Sequence, residues 1–354
     1  MMTGSEVLSG SESLGFRGII GQDRPLKILK NILKKETLPH ALLFTGIKGI
    51  GKLAAAKAFA MALNCSEKEP RQFPESEAVH ISTEPCCVCR PCAKILSGNH
   101  PDVIFIEPSG TFIKIDQIRM LCKTLSMKPF EAKMRVVILS HAQAMNAESA
   151  NAILKMLEEP PDRTLFVLTS ERPSDLLPTI ASRCQKVRFN PLPERTIETF
   201  LVDKCAVDDE MARLLSAMSG GSLSRAREMA SVNDAKGNWA KLRCWIIEEI
   251  ESLPQMPVGH LLALSEKLSK KNDLLANFFE LIITWLRDLA IQKYCPEKII
   301  NTDLRDRIQK ASSRFSIDSL FKKIESVHSA HKRIQMNANL RLTLELMIFQ
   351  LAAV

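Results

Sequence analysis

The 354 residues are 45% apolar and 25% charged, enough to bury a sizeable core and to form about two or three domains. The 48 basic and 40 acidic residues leave a net charge of +8, which suits proximity to an anionic partner but falls short of a protein that coats DNA. No apolar run approaches the ~20 residues that span a bilayer, and the N-terminus has neither a basic start nor an apolar core, so a cytoplasmic protein without membrane contact is expected.

Residues 1–15 are rich in Ser, Gly and Glu and lack apolar periodicity, as expected of a disordered leader. From 16 to 190, short β-prone runs alternate with helical patterns. The runs are Ala41–Thr45, Val103–Ile106, Val136–Leu139, Leu165–Leu168 and Val187–Phe189. Each is too continuously apolar for a half-exposed strand, and helical segments at Lys52–Asn64, Ile115–Ser126 and Ala147–Glu158 lie between them. The pattern predicts an α/β domain with a parallel five-stranded sheet. After Pro191-Leu192-Pro193 the strand signal vanishes, and helical periodicity runs through Ile197–Val232 and again from about Trp239 to the end. A cluster of Asn, Asp and Gly near 231–238 separates a small helical domain, 191–233, from an all-helical C-terminal domain, 238–354.

Between the first run and the first long helix lies Gly46-Ile47-Lys48-Gly49-Ile50-Gly51-Lys52, which fits G-x-x-x-x-G-K. Gly46, Gly49 and Gly51 let backbone N–H groups turn inward around phosphates. Lys52 and the helix N-terminus add positive charge. The next residue is Leu53, where the motif places a Ser or Thr hydroxyl on magnesium. The magnesium-binding acid and its water-polarising neighbour should end a later apolar strand, but Val136–Leu139 is followed by Ser140-His141. The magnesium site is therefore defective and hydrolysis is not expected. ATP binding stays open, because the glycines and Lys52 retain the means to hold phosphate. His141 is read as a surface or interface residue, since a replacement base would lack its metal.

Ten cysteines in a cytosolic chain read as thiols or metal ligands. Cys86, Cys89 and Cys92 stand at C-x2-C-x2-C spacing, where a tight turn aims three sulfurs at one point. Structural zinc needs a fourth ligand, and Cys65, at the end of the helix after the phosphate loop, is the best placed; Cys87 and His80 are reserves. A zinc-binding module inserted at 65–92 is the reading. The iron-sulfur alternative lacks its C-x3-C-P continuation, and free thiols are the other alternative.

Ile19-Ile20-Gly21-Gln22, Leu38–Phe44, the phosphate loop, the embedded cysteines, Asn151–Pro161 and Ser182-Arg183-Cys184 together resemble the delta-prime family of bacterial DNA polymerase III clamp-loader subunits, from about Phe16 to the C-terminus. The stretch Asn337–Glu345 is similar to the collar domain of such subunits. The resemblance implies an AAA+ module, a helical lid and a helical collar that serves oligomerisation. It also implies a hetero-pentamer with gamma/tau ATPase subunits and delta, acting on the sliding clamp and primed DNA. In the family the Ser-Arg-Cys motif directs an arginine into the neighbouring subunit's ATP site, so Arg183 is implied as an arginine finger acting in trans, the alternative being a surface arginine paired with a carboxylate. Arg225 resembles the second-sensor position, and Thr169 and Ser170 the first. A subunit with its own hydrolysis removed and its arginine retained would act as a stator. The alternatives are an active gamma/tau-type ATPase and a free-standing zinc nucleic-acid-binding protein. The latter has weak support, because the nine basic and five acidic residues of 301–354 are dispersed.

Overall fold

A computed structural model describes residues 15–35, 37–67, 83–234, 238–270, 272–336 and 338–353. The predicted leader lies outside them up to residue 14, as does His80. The described residues form two compact units. One comprises the chain to Thr196 with Gly221–Ser224, the other Ile197–Gly220 with Arg225 onward.

The first unit is organised by five parallel strands, β1 (Ala41–Thr45), β2 (Val103–Ile106), β3 (Arg135–Leu139), β4 (Thr164–Ser170) and β5 (Gln185–Arg188), in the order β2-β3-β4-β1-β5. Every residue of β1, β3 and β4 is buried because both faces of the sheet are covered. Alternation along the strands sends Leu42, Phe44, Val136, Ile138, Leu165 and Val167 to one face. There they pack with α1 (Asp23–Leu33), α2 (Lys52–Asn64) and α3 (Arg90–Leu96). Ala41, Leu43, Val137, Leu139, Phe166 and Leu168 face the other way, onto α4 (Ile115–Leu125), α5 (Ala147–Glu158) and α6 (Pro178–Ser182).

One short helix differs from the sequence expectation. The cysteine run was expected to form a tight turn, yet from Arg90 onward it is helical, with Pro91 in the first turn where its missing N–H costs nothing. Helix α6 likewise starts on a proline. The segment that leaves β5 is pinned by Gln22, whose Nε2 donates to the Asn190 carbonyl at 2.8 Å while its Oε1 accepts the Asn190 N–H at 3.3 Å.

The second unit is helical: α7 (Glu194–Cys205), α8 (Asp209–Met218), α9 (Leu223–Asp234), α10 (Asn238–Ser252), α11 (Val258–Ser269), α12 (Asn272–Ile291), α13 (Arg305–Ser312), α14 (Ile317–Gln335) and α15 (Leu340–Ala352), of which α7 and α9 begin in the first unit. Helix α12 supplies its centre through Phe278, Ile282 and Trp285. Fully buried Asp288 is satisfied by the N–H groups of Ile300 and Asn301 and the Asn301 side chain, and Arg243 clamps Asn301 and Asp303. Among the described residues no helix is long and apolar enough to cross a membrane.

Candidate functional site

Chemistry gathers at the two ends of α2. At its N-terminus the phosphate loop leaves the carboxyl end of β1, beside the end of β4, whose last carbonyl and that of Glu171 accept the Gly46 N–H at 3.3 and 3.0 Å. Gly46, Gly49 and Gly51 all have positive φ, of 144°, 80° and 97°. A Cβ on Gly46 would stand 2.5 Å from the Phe189 carbonyl oxygen, so only glycine fits there. Gly49 lies under Ser222 and Ser224, and the Ser224 N–H donates to its carbonyl at 3.1 Å.

Lys52 opens α2 but turns back on the loop. Its ammonium donates to the Gly46 carbonyl and, at 2.8 Å, to that of Ile47. Burial lowers its pKa to about 8, opposed by the carboxylate of Glu171. Leu53, in the metal-ligand position, packs its side chain against the apolar cluster beneath the loop. At the carboxyl end of β3, Ser140 Oγ lies 3.0 Å from Nδ1 of His141. His141 adopts a left-handed backbone with φ 52°, and its N–H donates to Thr169 Oγ1 at 3.1 Å. Burial and the charges of Lys48 and Lys52 push its pKa down, so the imidazole is neutral at pH 7. Half-buried, His141 stands within electrostatic reach of the two lysines, among the surroundings of the loop.

Glu171 and Glu107 went unnoticed in the sequence. Both act on the charge of His141, and Glu171 also acts on that of Lys52. Each directly follows a strand, Glu107 after β2 and Glu171 after β4, at the carboxyl end of the sheet where α/β proteins place binding groups. That position was the available signal. Ser170 Oγ, by contrast, donates to the Arg172 carbonyl at 3.0 Å.

At the other end of α2, Cys65 is the C-cap, and its sulfur joins those of Cys86, Cys89 and Cys92, all within 4.8 Å of one another. Cys65 and Cys89 sulfurs are 3.9 Å apart, close to the ~3.8 Å that tetrahedral zinc-thiolate bonds require. The Cys89 N–H donates to Cys86 Sγ at 3.3 Å, and Cys92 is buried on α3. The donor set suits zinc, and this four-cysteine group can hold it. Cys87, a reserve ligand, stands outside the group, its thiol directed to the Pro85 carbonyl.

Arg183 caps the C-terminus of α6, partly exposed, with Nη2 2.5 Å from Glu158 Oε1 and Nη1 donating to the Thr179 carbonyl at 3.0 Å. Arg225 pairs with Glu280 of α12 in the helical unit, where burial lowers its pKa.

A parallel five-stranded sheet with a glycine loop between β1 and α2, followed by helical domains, defines a P-loop protein of the AAA+ class. Family models described as "DNA polymerase III, delta subunit" and "DNA polymerase III, delta subunit, C terminal" match residues 21–193 and 239–353. The DNA polymerase III subunit delta-prime of Bacillus subtilis is 35% identical over 93% of this chain and 96% of its own length. The chain belongs to the DNA polymerase III delta-prime family. The tau subunit of the same organism is 26% identical over 95% of this chain, which spans 61% of that longer protein. A gamma subunit-related protein from Thermotoga maritima aligns structurally over 93% of this chain and 99% of its own, at 22% identity and a TM-score of 0.42.

Proposed function

We propose that the chain is the stator of a clamp loader. It joins gamma/tau ATPase subunits and delta in a hetero-pentamer, does not hydrolyse ATP itself, and supplies Arg183 to a neighbouring subunit's ATP site. Through that assembly it helps place the sliding clamp on primed DNA. The observation that carries this reading is the contrast within one unit. Position 53 is apolar and packed, the end of β3 holds a Ser140–His141 pair in place of carboxylates, and Lys52 is taken up by its own loop, whereas Arg183 lies on the surface. A guanidinium there suits a γ-phosphate whose transition state spreads negative charge. Zinc held by Cys65, Cys86, Cys89 and Cys92 has a structural role in this reading: four thiolates close the coordination shell and leave no position for a substrate.

The test is a loader reconstituted with tau-type ATPase subunits. Arg183→Ala should leave assembly intact and lower ATP turnover, by about 10³-fold at the site it serves and severalfold for the whole loader. Unchanged turnover would remove the finger. The isolated chain should show no magnesium-dependent hydrolysis. Turnover that disappears on Lys52→Ala would replace this reading with that of an active gamma/tau-type ATPase.

A further inference from the structure

Arg183 is held against its own subunit by two acceptors, and both sit at helix C-termini. Glu158 is the last residue of α5, and the Thr179 carbonyl belongs to the single turn that Arg183 caps. Helices α5 and α6 pack on the same face of the sheet, so the ion pair bridges their ends. Unpaired carbonyls at such ends add negative potential, and the carboxylate completes an anionic cradle for a guanidinium. The edge of the arginine fork that meets Glu158 is the kind of edge that would meet phosphate oxygens, and one set of N–H donors cannot serve both at full strength.

We propose that Glu158 is a positioning residue that parks the Arg183 guanidinium on its own subunit and yields it when a neighbour's nucleotide presents its γ-phosphate. The inference rests on the arginine-finger reading. The side chains of the pair are 37% and 48% exposed, which places it among ion pairs weak enough to exchange. A pair of that strength lowers the fraction of free Arg183 severalfold at most, and the neighbour's apparent affinity for ATP falls by the same factor. Glu158 touches neither nucleotide nor metal in this scheme, so its removal should act on binding and leave the chemical step to an intact arginine.

Steady-state ATP titrations of the reconstituted loader test this with four forms: wild type, Glu158→Gln, Arg183→Ala and the double variant. Glu158→Gln should lower KM by about 1.5- to fivefold with kcat nearly unchanged, and should have no effect in the Arg183→Ala background. A merely structural role for Glu158 would not separate KM from kcat in this way. An unchanged or raised KM overturns the proposal, as does a shift that persists without Arg183. If Arg183→Ala alone moves neither constant, the finger reading itself falls and the parking role goes with it, so the two failures are told apart by one column of the data.

Discussion

The two ends of α2 make opposite use of their polar groups. At the N-terminal end the Lys52 ammonium, the Gly46 N–H and the Gly49 carbonyl all bond within the protein, and Leu53 packs into the apolar cluster below the loop. At the C-terminal end four sulfurs converge within 4.8 Å of one another. The difference teaches that the backbone of the loop is held by internal packing, whatever side chains flank it. Its glycines are fixed by close packing, as Gly46 against Phe189 illustrates.

The largest effect that would test this contrast belongs to the cysteine end. Cys92→Ser should reduce bound zinc from about one ion per chain to none and cost several kcal/mol of stability, read by metal analysis and thermal denaturation. A metal-free protein that melts unchanged would mean the sulfurs converge without a ligand. Next comes the loop backbone. Gly46→Ala, whose Cβ would meet the Phe189 carbonyl at 2.5 Å with φ 144°, should cost about 1–3 kcal/mol of stability in the absence of any nucleotide. A neutral result in denaturant titration would show that the loop is not held by packing.

The smallest effect is the pH dependence of Lys52. Its folded pKa of about 8 lies below the ordinary 10.5, so between these values the unfolded chain binds more protons and stability rises with pH. The penalty for burying its charge is fully present below pH 8 and gone above 10.5. Lys52→Met removes the charge, so the difference in unfolding midpoint between variant and wild type should shrink from pH 7 to pH 10. A constant difference would mean that the ammonium is not desolvated.

Much of the first unit was legible from continuous apolar runs. Helices α2 and α5 and strands β1 and β2 fall where periodicity places them, because fully buried strands and a helix between glycine loop and cysteine announce themselves locally. Strand order was not legible: β1 lies between β4 and β5, a pairing over more than a hundred residues that local pattern does not encode. The helical start at Arg90 was hidden because cysteine spacing suggested a turn. Of the phosphate-loop surroundings, the residue types at 53, 140 and 141 could be read directly. The return of Lys52 onto Gly46 and the approach of Glu171 depend on side-chain direction and on neighbouring strand ends. The Glu158 contact of Arg183 joins two motifs whose separate roles gave no hint that they touch.

The last side chain of α2 has a consequence for how this chain assembles. Asn64 exchanges two hydrogen bonds with the backbone of Met134, at 2.9 and 3.1 Å, closing a loop of 70 residues just before β3 begins. Loop closure grows costlier with length, and Cys65 and Cys89 lie 24 residues apart inside that interval. Metal captured early would close the inner loop first and shorten the chain that Asn64 must then gather. The cysteine module would thereby act as a timing device for the sheet, bringing β3 within reach of α2 before the long-range pairing has to form.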